Sequence, residues 1–198
     1  MRLAVHFPSL PSAAICASAM AVALAFTVIG CGPSMADPVA PPASSLPKYD
    51  ATNADQFDDA IEPHAVGLEL ETYSDPKSDP RLRARAQAAD AVVRARVMTV
   101  TGETGSGSHT YQVTFKELAH LGGKHPLGDE FTVRIDKTSP SLGIVRSMEG
   151  QLVGKTLVVF AKAFSRPDGD RDIHFHASAD AQDVADAVKE AVILDEVK

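Results

Sequence analysis

Residues 110–118 read TYQVTFKEL, and their alternation decides the fold. Tyr111, Val113 and Phe115 fall on one face of an extended chain, with Thr110, Gln112, Thr114 and Lys116 on the other. That is the period of two of a half-buried strand. EFTVRID (130–136) repeats it, setting Phe131, Val133 and Ile135 against Thr132, Arg134 and Asp136. Upstream, DAVVRARVMTV (90–100) is rich in β-branched residues. Downstream, TLVVFAKAF (156–164) is the most apolar of these runs, and RDIHFHA (171–177) follows a turn signal at Asp168-Gly169. Five strands are expected.

Helical patterns surround and interrupt them. Asp79-Pro80 ahead of RLRARAQAA supplies a capping oxygen and a proline at the first helical position. LGIVRSMEGQLVG (142–154) has helical character, and after Ser178 the run ADAQDVADAVKEAV places Ala181, Val184, Val188 and Ala191 at helical spacing. Three strands, a short helix, two strands and a terminal helix resemble the OB-fold, a Greek-key barrel with a helix between its third and fourth strands. The resemblance covers residues 90–177 and rests on element order and length. It implies a mainly β protein with flanking helices, namely a small five-stranded antiparallel OB-like barrel with a C-terminal helix. An antiparallel sheet packed by that helix is the alternative.

The chain has 198 residues, room for one ordinary domain plus appendages. Formal net charge is -7, and the first 30 residues carry only Arg2 as a fully charged side chain. The body alone is therefore more acidic still, which repels nucleic acid and anionic lipid. Cys16 and Cys31 are the only cysteines, so neither a disulfide framework nor a thiolate metal site can form in the body.

Between Arg2 and Asp37 no residue is fully charged, and Ala13 to Gly30 is a run of small and aliphatic side chains without a following stop-transfer cluster. A cleaved export signal fits better than a membrane span. Val28-Ile29-Gly30-Cys31 at its end resembles the bacterial lipobox. The resemblance implies a signal peptide over residues 1–30, a diacylglycerol thioether on Cys31, and acylation of the amino group freed by cleavage. Two or three acyl chains hold a soluble acidic body at a membrane, where one would not. Gly32, standing where aspartate marks inner-membrane retention in this family, implies the outer membrane. The five prolines between Gly32 and Lys48 make residues 31–50 a tether. A single domain over 51–198 follows, with its core expected over about 79–192; VGLELETY (66–73) reads as a short strand or edge segment.

Several motifs approach known chemistry without reaching it. EGQLVGKT (149–156) puts Gly150 one residue too close to Gly154-Lys155 for a phosphate loop, so a turn before a strand is expected. Asp168, Asp170 and Asp172 alternate as in a calcium loop, but Ile173 and Ala179 occupy the positions that need glycine and glutamate. Ser74 and Lys77 match a Ser-x-x-Lys pair in letters, within a proline-interrupted loop. Arg94, Arg96, Lys116 and Arg134 form a basic stripe without aromatics on which bases could stack. His174 and His176 project together from one strand face, expected to be exposed, and are the candidate metal ligands if a third arrives from a neighbouring strand. No cofactor and no catalytic residue is implied. The expected function is non-catalytic: an envelope lipoprotein anchored to the membrane through Cys31 and presenting a binding domain to a protein or envelope ligand, not to nucleic acid. A metal-binding protein using His174 and His176, or a hydrolase with a scattered site, are the alternatives.

Overall fold

The computed structural model describes residues 45–68, 75–105 and 108–196. The expected signal segment with Cys31, residues 32–44 of the expected tether, residues 69–73 of the expected edge segment and Ser74 lie outside them.

Among the described residues six strands form one mixed sheet: β1 (Ala60–Ile61), β2 (Ala91–Gly105), β3 (Ser108–Gly122), β4 (Glu130–Ile135), β5 (Thr156–Ser165) and β6 (Arg171–Ala179). Their spatial order is β1-β6-β5-β2-β3-β4, with β1 parallel to β6 and every other pairing antiparallel. The helices are α1 (Ala51–Ala54), α2 (Pro80–Ala88), α3 (Leu142–Leu152) and α4 (Gln182–Glu196). The order of three strands, helix, two strands and terminal helix is therefore present. The closed five-stranded barrel is not.

Two features of the sequence account for the open sheet. A small barrel buries one face of each strand, whereas β5 buries both. Its Leu157, Val159 and Ala161 join Val113, Phe115, Val133 and Phe175 in one core, which Val145 and Leu152 of α3 cover. Its Val158, Phe160 and Phe164 join a second core with Leu82 and Ala86 of α2 and Val184 and Val188 of α4. The sheet is thus the middle of three layers. In addition β1 occupies the edge of β6, pairing Ala60 with His176 and Ile61 with Ala177. Closure onto β4 would need that edge.

Local signals account for the elements around the sheet. Asp79 caps α2, its Oδ1 accepting from the Arg81 amide at 2.8 Å. Strands β2 and β3 run beyond the expected limits, pairing Thr101 with Gln112 and Thr104 with His109. Residues 101–104 of β2 are exposed and have no core to face, so nothing in the sequence alternates there. Ser178 does not open the terminal helix; it is buried in β6 opposite Val158, and α4 begins at Gln182. Gly123 turns the chain after β3 with φ +97°, where a Cβ would lie 2.3 Å from the Asp90 carbonyl oxygen. Only glycine fits.

The core also begins earlier than residue 79. Phe57 lies in the second core, Ile61 and Val66 in the first, and all three are buried. Val66 closes a 3-10 turn (Pro63–Val66) rather than opening a strand. Residues 47–62 form a strap along β5 and β6: the Ser165 amide donates to the Pro47 carbonyl at 2.8 Å, Asp59 to Phe175 at 2.9 Å and Glu62 to Ala177 at 2.8 Å. The last residues of the expected tether are therefore docked.

Candidate functional site: a histidine–carboxylate cluster and the cleft beside it

His174 and His176 alternate with Ile173 and Phe175 as the sequence implies, but the face they share is covered. On β6 they pair with Lys162 and Phe160 of β5, the face on which the second core builds. The strap crosses it. His174 Nδ1 lies 2.8 Å from Asp59 Oδ2, His176 Nδ1 lies 2.8 Å from Asp58 Oδ1, and His176 Nε2 lies 3.1 Å from Glu62 Oε1. His176 is only 7% exposed. The expected exposed pair is thus corrected, because a strand with two buried faces gives its polar residues no solvent to meet.

The strap is shaped to deliver these carboxylates. Asp59 has φ +55°, a left-handed conformation uncommon outside glycine, asparagine and aspartate. In it, Asp59 Oδ1 accepts from the Phe175 amide at 3.2 Å, and the Asp59 carbonyl accepts from the Ser141 hydroxyl just before α3. Arg85 comes from α2, buried, with Nε donating to the Gln56 carbonyl at 2.7 Å and the guanidinium 5.7 Å from the Phe160 ring centre. Tyr49 completes the cluster. Its ring stacks on His174 at 3.5 Å and meets Phe164 edge-on at 5.1 Å, and its hydroxyl donates to the Phe57 carbonyl at 2.6 Å.

Burial works against every charge here. It pushes the Asp58 and Glu62 carboxyls up, but hydrogen bonding and charge from His176 outweigh it and hold both below their ordinary values. For Asp59 burial wins over His174, and the carboxyl is raised. Burial lowers the Arg85 guanidinium, opposed by Asp58 and Glu62. The Tyr49 phenol is pushed up to about 12, by burial first and then by Asp59, Asp58 and Asp136. Three carboxylates, Asp58, Asp59 and Glu62, thus gather here with the Arg85 guanidinium. His176 donates to both its partners only as imidazolium.

Chemically the cluster is a clasp. Both nitrogens of His176 are engaged by carboxylates, as is Nδ1 of His174. Among the described residues no group of three or more His, Cys, Asp or Glu side chains is placed to hold a metal ion. Beside the clasp lies a cleft of about 380 Å³ lined by Lys48, Tyr49, Phe164, Arg166, Asp172 and His174, together with Ser165 and Pro167.

The other candidate residues lie apart from it. Gly154 turns with φ +87° between α3 and β5, a turn before a strand. Asp168 and Asp170 stand in the β5–β6 hairpin turn and Asp172 just inside β6; Arg166 Nε is 3.8 Å from a carboxylate oxygen of both Asp168 and Asp172. Lys77 is exposed in a 3-10 turn capped by Asp75. Within the basic stripe Arg94 pairs with Asp180 at 2.6 Å, and Lys116 stands between Arg96 and Glu130 on neighbouring strands. The sequence reading missed Tyr49, Asp58, Asp59, Glu62 and Arg85. Their only signal was an Asp-Asp pair in an acidic, weakly patterned stretch more than a hundred residues from the histidines.

No family model matches this chain, and no match was found among the curated proteins or the solved structures. Function is therefore read from the site and the sequence motifs themselves.

Proposed function

We propose that this chain is a lipid-anchored protein of the bacterial cell envelope, held at the outer membrane where the organism has one, that presents a small non-catalytic binding domain. The observation that carries the reading is Val28-Ile29-Gly30-Cys31 at the end of an uncharged apolar run, directly ahead of a proline-rich stretch. In this reading a lipid on Cys31 is the means of attachment, since two or three acyl chains hold a soluble body at a membrane. The non-catalytic part is supported by the clasp, in which the imidazoles hold strap to sheet. The cleft beside Tyr49 is the concave place where a ligand would sit.

Metabolic labelling with an alkyne fatty acid tests the anchor. The wild-type chain takes up label and partitions with membranes; Cys31→Ser takes up none. Label on the serine variant refutes the lipobox reading. In vivo cross-linking of the intact protein, followed by identification of what is captured, tests the binding role.

A further inference from the structure

Tyr49 is the only exposed phenylalanine or tyrosine among the described residues, at 36%. It is also held rigidly. Its hydroxyl is bonded to Phe57, one face is stacked on His174 with an interplanar angle of 2°, and Phe164 meets it edge-on. A ring fixed before binding costs a ligand little ordering. Around it stand Lys48, exposed, with Arg166, Asp172 and the side chain of Ser165, which supply both hydrogen-bond donors and acceptors.

Charge narrows the ligand class. Arg166 is flanked by Asp168 and Asp172 at 3.8 Å each, so its charge is already met by carboxylates, and the lining carries both signs, Lys48 and Arg166 beside Asp172. A multiply charged ligand gains little there. A neutral ring with one apolar face and a rim of hydroxyls uses the aromatic platform and the mixed polar rim together. We propose that the cleft between Tyr49 and the β5–β6 hairpin binds a pyranose ring of a neutral carbohydrate. The proposal rests on the binding-domain reading above and names the ligand class of its cleft.

The test is titration of the isotopically labelled whole chain with maltose, cellobiose and N,N′-diacetylchitobiose to tens of millimolar, followed by amide NMR shifts. At least one sugar should give saturable shifts confined to residues 48–50 and 164–174. Tyr49→Ala should weaken that binding about tenfold or more, through loss of the stacking surface, and Tyr49→Phe should restore most of it. Should Tyr49→Ala fail to fold, Asp172→Asn and Arg166→Gln at the rim should each weaken binding several-fold. Absence of saturable shifts with all three sugars, or equal binding by every variant, overturns the proposal. Cross-linked capture of a protein at another surface, with no response to sugar, would overturn it while leaving the binding-domain reading in place.

Discussion

Tyr49 keeps its proton to about 12 because burial and three carboxylates, Asp59, Asp58 and Asp136, all oppose a phenolate. Its folded value lies above the ordinary value of about 10. The stability it contributes is therefore fully present below pH 10 and is lost as pH rises through about 12. Alkaline absorbance titration should show one late tyrosine that disappears in Tyr49→Phe; ionisation of every tyrosine at the ordinary value would contradict this. His176 is the second test at this scale. On alternation alone it would be expendable, yet its removal leaves Asp58 and Glu62 without the group that balances them. Their side chains are 35% and 42% exposed, so solvent screens part of the loss. His176→Ala should cost about 1–3 kcal/mol in denaturant melts, less than the 3–5 kcal/mol or so expected for Phe175→Ala in the core. A loss within about 0.5 kcal/mol, ordinary for a surface position, would mean that the clasp contributes nothing.

The strap is the element whose hold depends on pH. Asp58 and Glu62 have folded values below their ordinary ones, so the stability they contribute is present above the unfolded carboxylate range and is lost as pH falls through the folded values. Asp59, raised by burial, runs the other way: its contribution is present below the ordinary value and is lost as pH rises through the folded one. Two groups oppose one, and acid should loosen the strap. After correction for the intrinsic pH dependence of exchange, the Asp59 and Glu62 amides should lose protection below about pH 4 before those of the β3–β4 ladder do. The double variant Asp58→Asn, Glu62→Gln should flatten that dependence. Equal behaviour of strap and ladder amides across the acid range would show that the strap opens only with the whole sheet.

For the whole molecule, the strap makes the difference between a domain that begins at Asp79 and one that begins near Pro47. Phe57, Ile61 and Val66 are each at most 3% exposed and lie on both sides of the sheet. Burial contributes about 1.5–3 kcal/mol for each such side chain, and a domain's entire margin is only about 5–15 kcal/mol. A fragment starting at Asp79 should therefore lack cooperative unfolding and bind hydrophobic dyes, whereas one starting at Ser45 should melt in a single transition. Slow amide exchange in β3, β4 and β5 of the shorter fragment would show that the sheet and α4 suffice.

The sequence by itself determined five of the six strands described, β2 to β6, the cap of α2 and the order of those elements, because each depends on neighbours a few residues apart. Alternation at 110–118 and 130–136 states which side chains share a face whatever lies beyond that face. The resemblance to a lipobox is equally local, resting on four adjacent residues at the end of an apolar run. Only the tertiary structure decided that the sheet stays open and is covered on both faces, since that turns on where β1, α2 and α4 dock against β5 and β6. It also decided the fate of His174 and His176. Period two places both imidazoles on one face, but whether solvent, a metal or a carboxylate meets them depends on a strap more than a hundred residues earlier in the chain.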